Sequence, residues 1–301
     1  MSDTQDLQRF TIPGIVRVEA GEGGLPRFVI TGRDGAAHVY LHGAHVTHFQ
    51  PTGGEPVLFL SRKSVYADSK AIRGGVPVIF PWFGAKEGDP AAPAHGFVRV
   101  LDWEPTDVRQ ESDGRVILTL ELSSSDRTRK AWPFDFRLRY TIAVGRSLEL
   151  TLEVQNLSGG EFRFEEALHT YLAVSDVRRV DVEGLGGKTY IDKVDSGRRK
   201  VQPPGAIRIE GETDRVYLDT TDGVAVTDPG FKRDVIVTKQ GSAATVLWNP
   251  WVAKAKSMSD FGDDEWPRML CVETANVSDN AVTLAPGATH RMSATIAVEI
   301  G

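Results

Sequence analysis

The stretch Phe136-Arg137-Leu138-Arg139-Tyr140-Thr141-Ile142-Ala143-Val144-Gly145-Arg146-Ser147-Leu148-Glu149-Leu150-Thr151-Leu152-Glu153-Val154-Gln155-Asn156 decides the fold class. Apolar and polar residues alternate on both sides of Val144-Gly145-Arg146-Ser147, and a period of two marks a strand with one buried face. With a glycine in the intervening turn, the stretch reads as a β-hairpin. Working outward, similar strand signals recur in Phe28-Val29-Ile30, Val39-Tyr40-Leu41 and Val116 to Leu122. No window of about twelve residues or more carries helical apolar spacing with caps at both ends, so helix should be scarce. The many short strands are separated by Gly, Pro, Asp and Ser, with 30 glycines and 16 prolines in the chain. The expected fold class is all-β, a large antiparallel sandwich of more than about ten strands.

A chain of 301 residues, 41% hydrophobic and 25% charged, buries a substantial core. Single cores stop growing near roughly 250–300 residues, so by length alone one large β domain and two smaller ones fit equally. Gly184 to Ile209 is loop-rich, yet strand-like residues resume in Arg215-Val216-Tyr217-Leu218, and no boundary belongs there. We expect one domain over residues 1–301, with no fixed repeat and no low-complexity tract.

The single cysteine, Cys271, has no partner for an internal disulfide, and the N-terminal MSDTQDLQRF lacks the apolar segment of an export signal. The expectation is a cytoplasmic protein. No run approaches the roughly eighteen apolar residues of a membrane-spanning helix, so no membrane partner is expected. A net charge of −6 argues against broad nucleic-acid binding, which needs a concentrated Lys/Arg surface. The small group Arg178, Arg179, Arg198, Arg199 and Lys200 reads as solvated loop charge.

Four stretches set ionisable residues among apolar and small ones: IRGGVPVIFPWFG (72–84), HGFVR (95–99), FEEALHTY (164–171) and CVETAN (271–276). Desolvation and close neighbours shift an imidazole or carboxyl pKa toward the range useful for proton transfer. Taken singly, His169 reads as a core or strand histidine and Glu273 as a solvent-facing strand residue.

Together with GAHV (43–46), WPFDFRLRYTI (132–142), TDRVYLDT (213–220) and KSMSDFGDDEW (256–266), these stretches resemble the hexose-6-phosphate mutarotases, the glucose-6-phosphate 1-epimerase branch of the aldose-epimerase superfamily. The resemblance covers most of the chain in the expected order. It implies a β-supersandwich of the galactose-mutarotase type, without a cofactor, that interconverts the α and β anomers of a hexose 6-phosphate. By the same resemblance, the histidine of the ALHTY strand and the glutamate of the CVE strand, His169 and Glu273, are catalytic. Arg73 and Arg99 match arginines that hold the substrate and its phosphate, and Asp214 matches a sugar-hydroxyl ligand. One departure stands out: Ala94 replaces a glutamine that often helps to hold the substrate, and the neighbouring His95 is expected to compensate as a substrate-binding residue.

Other features invite other readings. Alternation puts three of His38, His42, His45 and His48 on one face and His45 on the other, unless Gly43 kinks the chain; the spacing is poor for zinc, and no metal is expected. Asp260 to Glu265 lacks the donor pattern of a calcium loop and reads as a solvated loop near the pocket. Trp248, Trp251 and Trp266 read as pocket edge or core, and Gly74-Gly75 lacks the spacings of a nucleotide loop. Three rival functions stay open: a noncatalytic carbohydrate-binding protein, an epimerase of unphosphorylated aldoses, and a glycoside hydrolase pairing Glu273 with Glu166 or Asp214. The expected partner is a small sugar phosphate, and the expected state is a monomer or weak dimer.

Overall fold

Strand Leu148–Asn156 buries every second residue and pairs with Phe136–Val144, from Val144 opposite Leu148 to Phe136 opposite Asn156. The hairpin read from alternation is therefore present. The computed structural model describes residues 6–300, so residues 1–5 of the polar N-terminal stretch and residue 301 lie outside the described residues. Among the described residues, twenty-two strands pair in ladders that are all antiparallel. Only two short α-helices, Asp126–Ala131 and Trp251–Ser257, accompany them. The fold is all-β.

Two eight-stranded sheets carry the architecture. One contains the 136–156 hairpin; the other runs in the order Arg198–Val201, Thr189–Asp192, Thr213–Leu218, Ala244–Asn249, Met269–Asn276, Glu166–Leu168, Val78–Ile79, with Tyr171–Ala173 also paired to Met269–Asn276. Leu138, Leu150 and Ile296 of the first meet Leu247, Leu270 and Val272 of the second in one continuous core. Each such fully buried side chain contributes about 1.5–3 kcal/mol. The segment read as loop-rich contains a hairpin, Thr189–Asp192 with Arg198–Val201, at the edge of this second sheet.

A four-stranded sheet, Val16–Ala20, Pro26–Thr31, Gly35–Tyr40 and His45–Pro51, adds Phe28, Val39 and Phe49 to the same core. Here the four histidines part company, because the ladder shifts register between His38 and Val39 and the chain turns through positive φ at Gly43 (72°) and Ala44 (48°). A Cβ at Gly43 would stand 2.6 Å from the Arg99 carbonyl oxygen, so the turn requires glycine. His38 ends opposite His48, with ring centroids 4.9 Å apart, while His42 bonds the Lys70 carbonyl and His45 the Gly74 carbonyl. The alternation that grouped three of them fails at that turn.

Strand Met269–Asn276 differs from Leu148–Asn156 in being buried at all eight positions. Leu270 and Val272 enter the central core, and alternation sends Cys271, Glu273 and Ala275 to the opposite face. That face carries two apolar clusters, one around Ala167, Val246 and Ala275, the other around Tyr171, Phe261 and Cys271. Arg73, His95, Arg99, His169 and Glu273 of the four motif stretches gather at one cavity beside them.

Candidate active site

His169 does not lie within a strand. It occupies, with Thr170, the break between Glu166–Leu168 and Tyr171–Ala173, where Thr170 N–H turns back to the Leu168 carbonyl and His169 N–H donates to Pro77. The two halves still keep one register against Met269–Asn276, since Leu168 faces Thr274 and Tyr171 faces Cys271. Residue 169 thus comes opposite residue 273, and cross-strand neighbours present their side chains on one face. His169 Nε2 lies 3.3 Å from Glu273 Oε1, with both residues buried.

Burial drives the His169 imidazole well below its ordinary pKa, and the charges of Arg99 and Arg73 push the same way. Burial also drives Glu273 well above the usual carboxylate range, with Asp214 adding to the shift. Both effects disfavour the separate ions, so the site favours a single proton held between imidazole and carboxylate. Tyr171, two residues on, stacks on the His169 ring at 4.8 Å and accepts from Arg73 Nη1 through its hydroxyl at 3.1 Å.

The two arginines differ. Arg73 gives Nε and Nη2 to Asp260 at 3.2 and 3.0 Å; burial opposes its charge, but Tyr171 and Asp260 prevail and keep it fully ionised. The buried His45 anchors this loop by donating to the Gly74 carbonyl at 2.7 Å, and Tyr171 N–H holds the Gly75 carbonyl. Arg99 instead has no acidic partner among the described residues: its Nη2 meets the Ala94 carbonyl at 2.8 Å and its Nε is buried without an acceptor. Burial and the neighbouring Arg73 pull its pKa down to about 10. An uncompensated, largely desolvated guanidinium is costly, and an anion relieves that cost.

His95 adopts positive φ (62°), and the next residue must be glycine, because a Cβ at Gly96 would stand 1.8 Å from the Phe80 carbonyl oxygen. The Gly84 N–H donates to His95 Nδ1 at 3.2 Å. That assigns the remaining proton of the neutral ring to Nε2, making His95 a hydrogen-bond donor. Burial, then Arg99, hold its pKa well down, so it stays neutral. Asp214 sits on Thr213–Leu218 opposite Trp248, with its carboxyl pKa raised by burial.

All six residues singled out from the sequence, Arg73, His95, Arg99, His169, Asp214 and Glu273, line one cavity of about 330 Å³. Trp248 also lines it, whereas Trp251 and Trp266 pack on each other at 4.2 Å. Sequence reading missed Lys193, which lines the cavity and lies over the Phe83 ring at 5.0 Å. The β-favouring run Thr189-Tyr190-Ile191 just before it was the available signal. It also missed Asp260 as the partner of Arg73; the acidic loop is not simply solvated, because Glu265 is buried against Ser61 and Arg62. Glu166 is not in the cavity but pairs with His290 at 2.8 Å.

Residues 27–297 match the family model described as aldose 1-epimerase. The chain belongs to the aldose 1-epimerase family. Within this family, it is 42% identical over 241 residues to an Escherichia coli K12 protein provisionally named a glucose-6-phosphate 1-epimerase, covering 79% of each chain. A Cenchrus ciliaris protein given the same provisional name is 38% identical over 273 residues, which is 88% of this chain and 82% of that one. Among solved structures, a provisionally named mutarotase from Salmonella typhimurium aligns with a TM-score of 0.90 and 34% identity, over 97% of this chain and 96% of that one. The aldose 1-epimerase match spans all four motif stretches.

Proposed function

We propose that the protein is a hexose-6-phosphate mutarotase that interconverts the α and β anomers of a hexose 6-phosphate, glucose 6-phosphate foremost, by opening and reclosing the pyranose ring. The observation that carries this reading is the buried His169–Glu273 pair at 3.3 Å in a cavity that also holds Arg99, which has no acidic partner among the described residues. Ring opening removes the proton from the C1 hydroxyl and delivers one to the ring oxygen. Glu273 as carboxylate takes the first and His169 as imidazolium supplies the second; rotation about C1–C2 then presents the other carbonyl face, and the roles reverse on closure.

Arg99 and Arg73 link substrate binding to this proton transfer. Beyond the effect of burial, their charges depress the His169 imidazole. A phosphate dianion set against them cancels that field and lets His169 hold the proton, leaving Glu273 as the carboxylate. The Nε2–H of His95 and the carboxyl of Asp214 hold sugar hydroxyls, with Trp248 as a wall for the ring. These roles need neither metal nor cofactor. We place the enzyme in the cytoplasm as a one-domain monomer or weak dimer; no helix among its described residues is long and apolar enough to cross a membrane.

Anomer exchange measured side by side for glucose 6-phosphate, galactose 6-phosphate and free glucose, by exchange NMR or polarimetry, tests the proposal. A clear preference for a phosphorylated sugar is expected. Equal rates on free glucose would assign the protein to unphosphorylated aldoses, binding without acceleration would make it a carbohydrate-binding protein, and sugar release from an activated glycoside would make it a hydrolase.

A further inference from the structure

Glu273 shares its face of the sheet with a second reactive group. Cys271 precedes it by two residues, so strand alternation brings the thiol to the same side, below the stacked rings of His169 and Tyr171. One donor atom from each of His169, Cys271 and Glu273 lies within 4.8 Å of the other two, and all three residues are buried. Glu273 Oε2 is buried without a hydrogen-bond partner, and Cys271 is a free thiol. Imidazole, thiolate and carboxylate are the donors that zinc prefers, at about 2.0–2.3 Å, which sets tetrahedral donors roughly 3.3–3.8 Å apart. The His169 Nε2–Glu273 Oε1 edge, at 3.3 Å, already has that length. The longest separation needs to close by about 1 Å, within reach of side-chain rotation.

We propose that His169, Cys271 and Glu273 form an inhibitory binding site for a thiophilic divalent cation of the zinc and cadmium class, with its fourth position open to the sugar cavity. As the metal–sulfur bond forms, the Cys271 proton leaves to solvent, and the proton shared by His169 and Glu273 leaves with it. Thiolate and carboxylate then balance the two charges of the ion, so a neutral assembly sits opposite Arg73 and Arg99 rather than an exposed dication. Magnesium and calcium, which require several oxygen donors, find one carboxylate here and are excluded. Occupation removes both the base and the acid, so the inhibition rests on the proposed mutarotase mechanism, whereas binding itself does not.

The test titrates the reduced, metal-free protein with Cd²⁺ and follows the ultraviolet sulfur-to-cadmium charge-transfer absorption, with anomer exchange measured on the same samples using free and phosphorylated glucose. One equivalent should produce the absorption and stop exchange, a chelator should reverse both, and millimolar Mg²⁺ should do neither. Cys271→Ser and Cys271→Ala should each abolish the absorption and raise the inhibitory Cd²⁺ and Zn²⁺ concentrations about tenfold or more; the serine variant covers a folding failure of the alanine one. Exchange without any stoichiometric absorption, or inhibition unchanged in both variants, overturns the metal site and leaves the mutarotase reading standing. Absorption in a protein with no exchange even when metal-free does the reverse.

Discussion

Among the described residues, two carboxylate–imidazole pairs have their carboxylates, Glu166 and Glu273, buried on neighbouring strands, and the pairs have opposite characters. Glu166 faces Asn276 in the same ladder that carries Glu273, and its Oε1 takes hydrogen bonds from His290 and from the Asn276 amide, both at 2.8 Å. Burial opposes a charge on His290, but the hydrogen bond and charge of Glu166 prevail and hold its pKa above the ordinary value. Glu273 instead meets His169 at 3.3 Å, and Arg99 and Arg73 join burial in pushing that imidazole down. Each carboxylate keeps one oxygen without a partner, Glu166 Oε2 and Glu273 Oε2, so burial alone does not separate the pairs. What separates them is the surrounding charge: a compensated ion pair ties strands together, and a pair pressed by the unpaired guanidinium of Arg99 is poised to move a proton.

Exchanging the two pairs by mutation breaks or sharpens this contrast. The largest effect is expected from His169→Asn and Glu273→Gln, each lowering the anomerisation rate by about 10²–10⁴-fold, or roughly 3–5 kcal/mol of barrier, with cooperative unfolding retained. Near-normal turnover in either variant would remove that residue from the acid–base assignment. The mirror change, His290→Ala, leaves Glu166 buried beside Asn276 alone and should cost about 1–3 kcal/mol of stability by denaturant titration, with turnover of the folded fraction close to that of the parent. If His290→Ala instead stopped turnover without lowering stability, the distinction between the pairs would fail.

The strand pattern was legible wherever one face of a sheet is buried, as at 136–156, because alternation there is a direct record of inside and outside. It was illegible at 269–276, where both faces are covered and Glu273 takes a position that alternation alone reads as solvent-facing. Five of the six expected site residues came from motif resemblance and His95 from its place beside Ala94, and all six line one cavity. Lys193 and Asp260 escaped because each sits in a segment whose composition reads as loop, and only tertiary pairing gives them a task. The histidine group escapes alternation for the local reason that Gly43 allowed for, a turn that no period of two survives.

A smaller effect separates the pairs by pH. The His290 pKa is raised in the folded protein, so its stabilising contribution is complete below the unfolded value near about 6.5 and is lost as pH rises through the folded value. His169 is depressed, so its contribution is present above about 6.5 and is lost as pH falls. Unfolding midpoints measured across this range should show His290→Ala flattening the alkaline flank and His169→Asn the acid flank. The opposite assignment of flanks would mean that the two imidazoles have been interchanged.

The smallest expected effect isolates the guanidinium field. Arg99 lowers the pKa of both His169 and Glu273. Arg99→Ala should therefore carry both limbs of the pH profile of kcat/KM toward higher pH. Free glucose is the substrate for this measurement, since it reports the pair without a phosphate in the cavity. With glucose 6-phosphate, the same variant should also raise KM far more than it does with glucose. Arg73→Lys should move the limbs less, because lysine keeps the positive charge and Asp260 already balances it. His290 and Glu166 lie outside the cavity, so the alkaline flank of stability should stay where it is in both arginine variants. Limbs that remain fixed when Arg99 is gone would show that burial, rather than charge, sets the protonation of the His169–Glu273 pair.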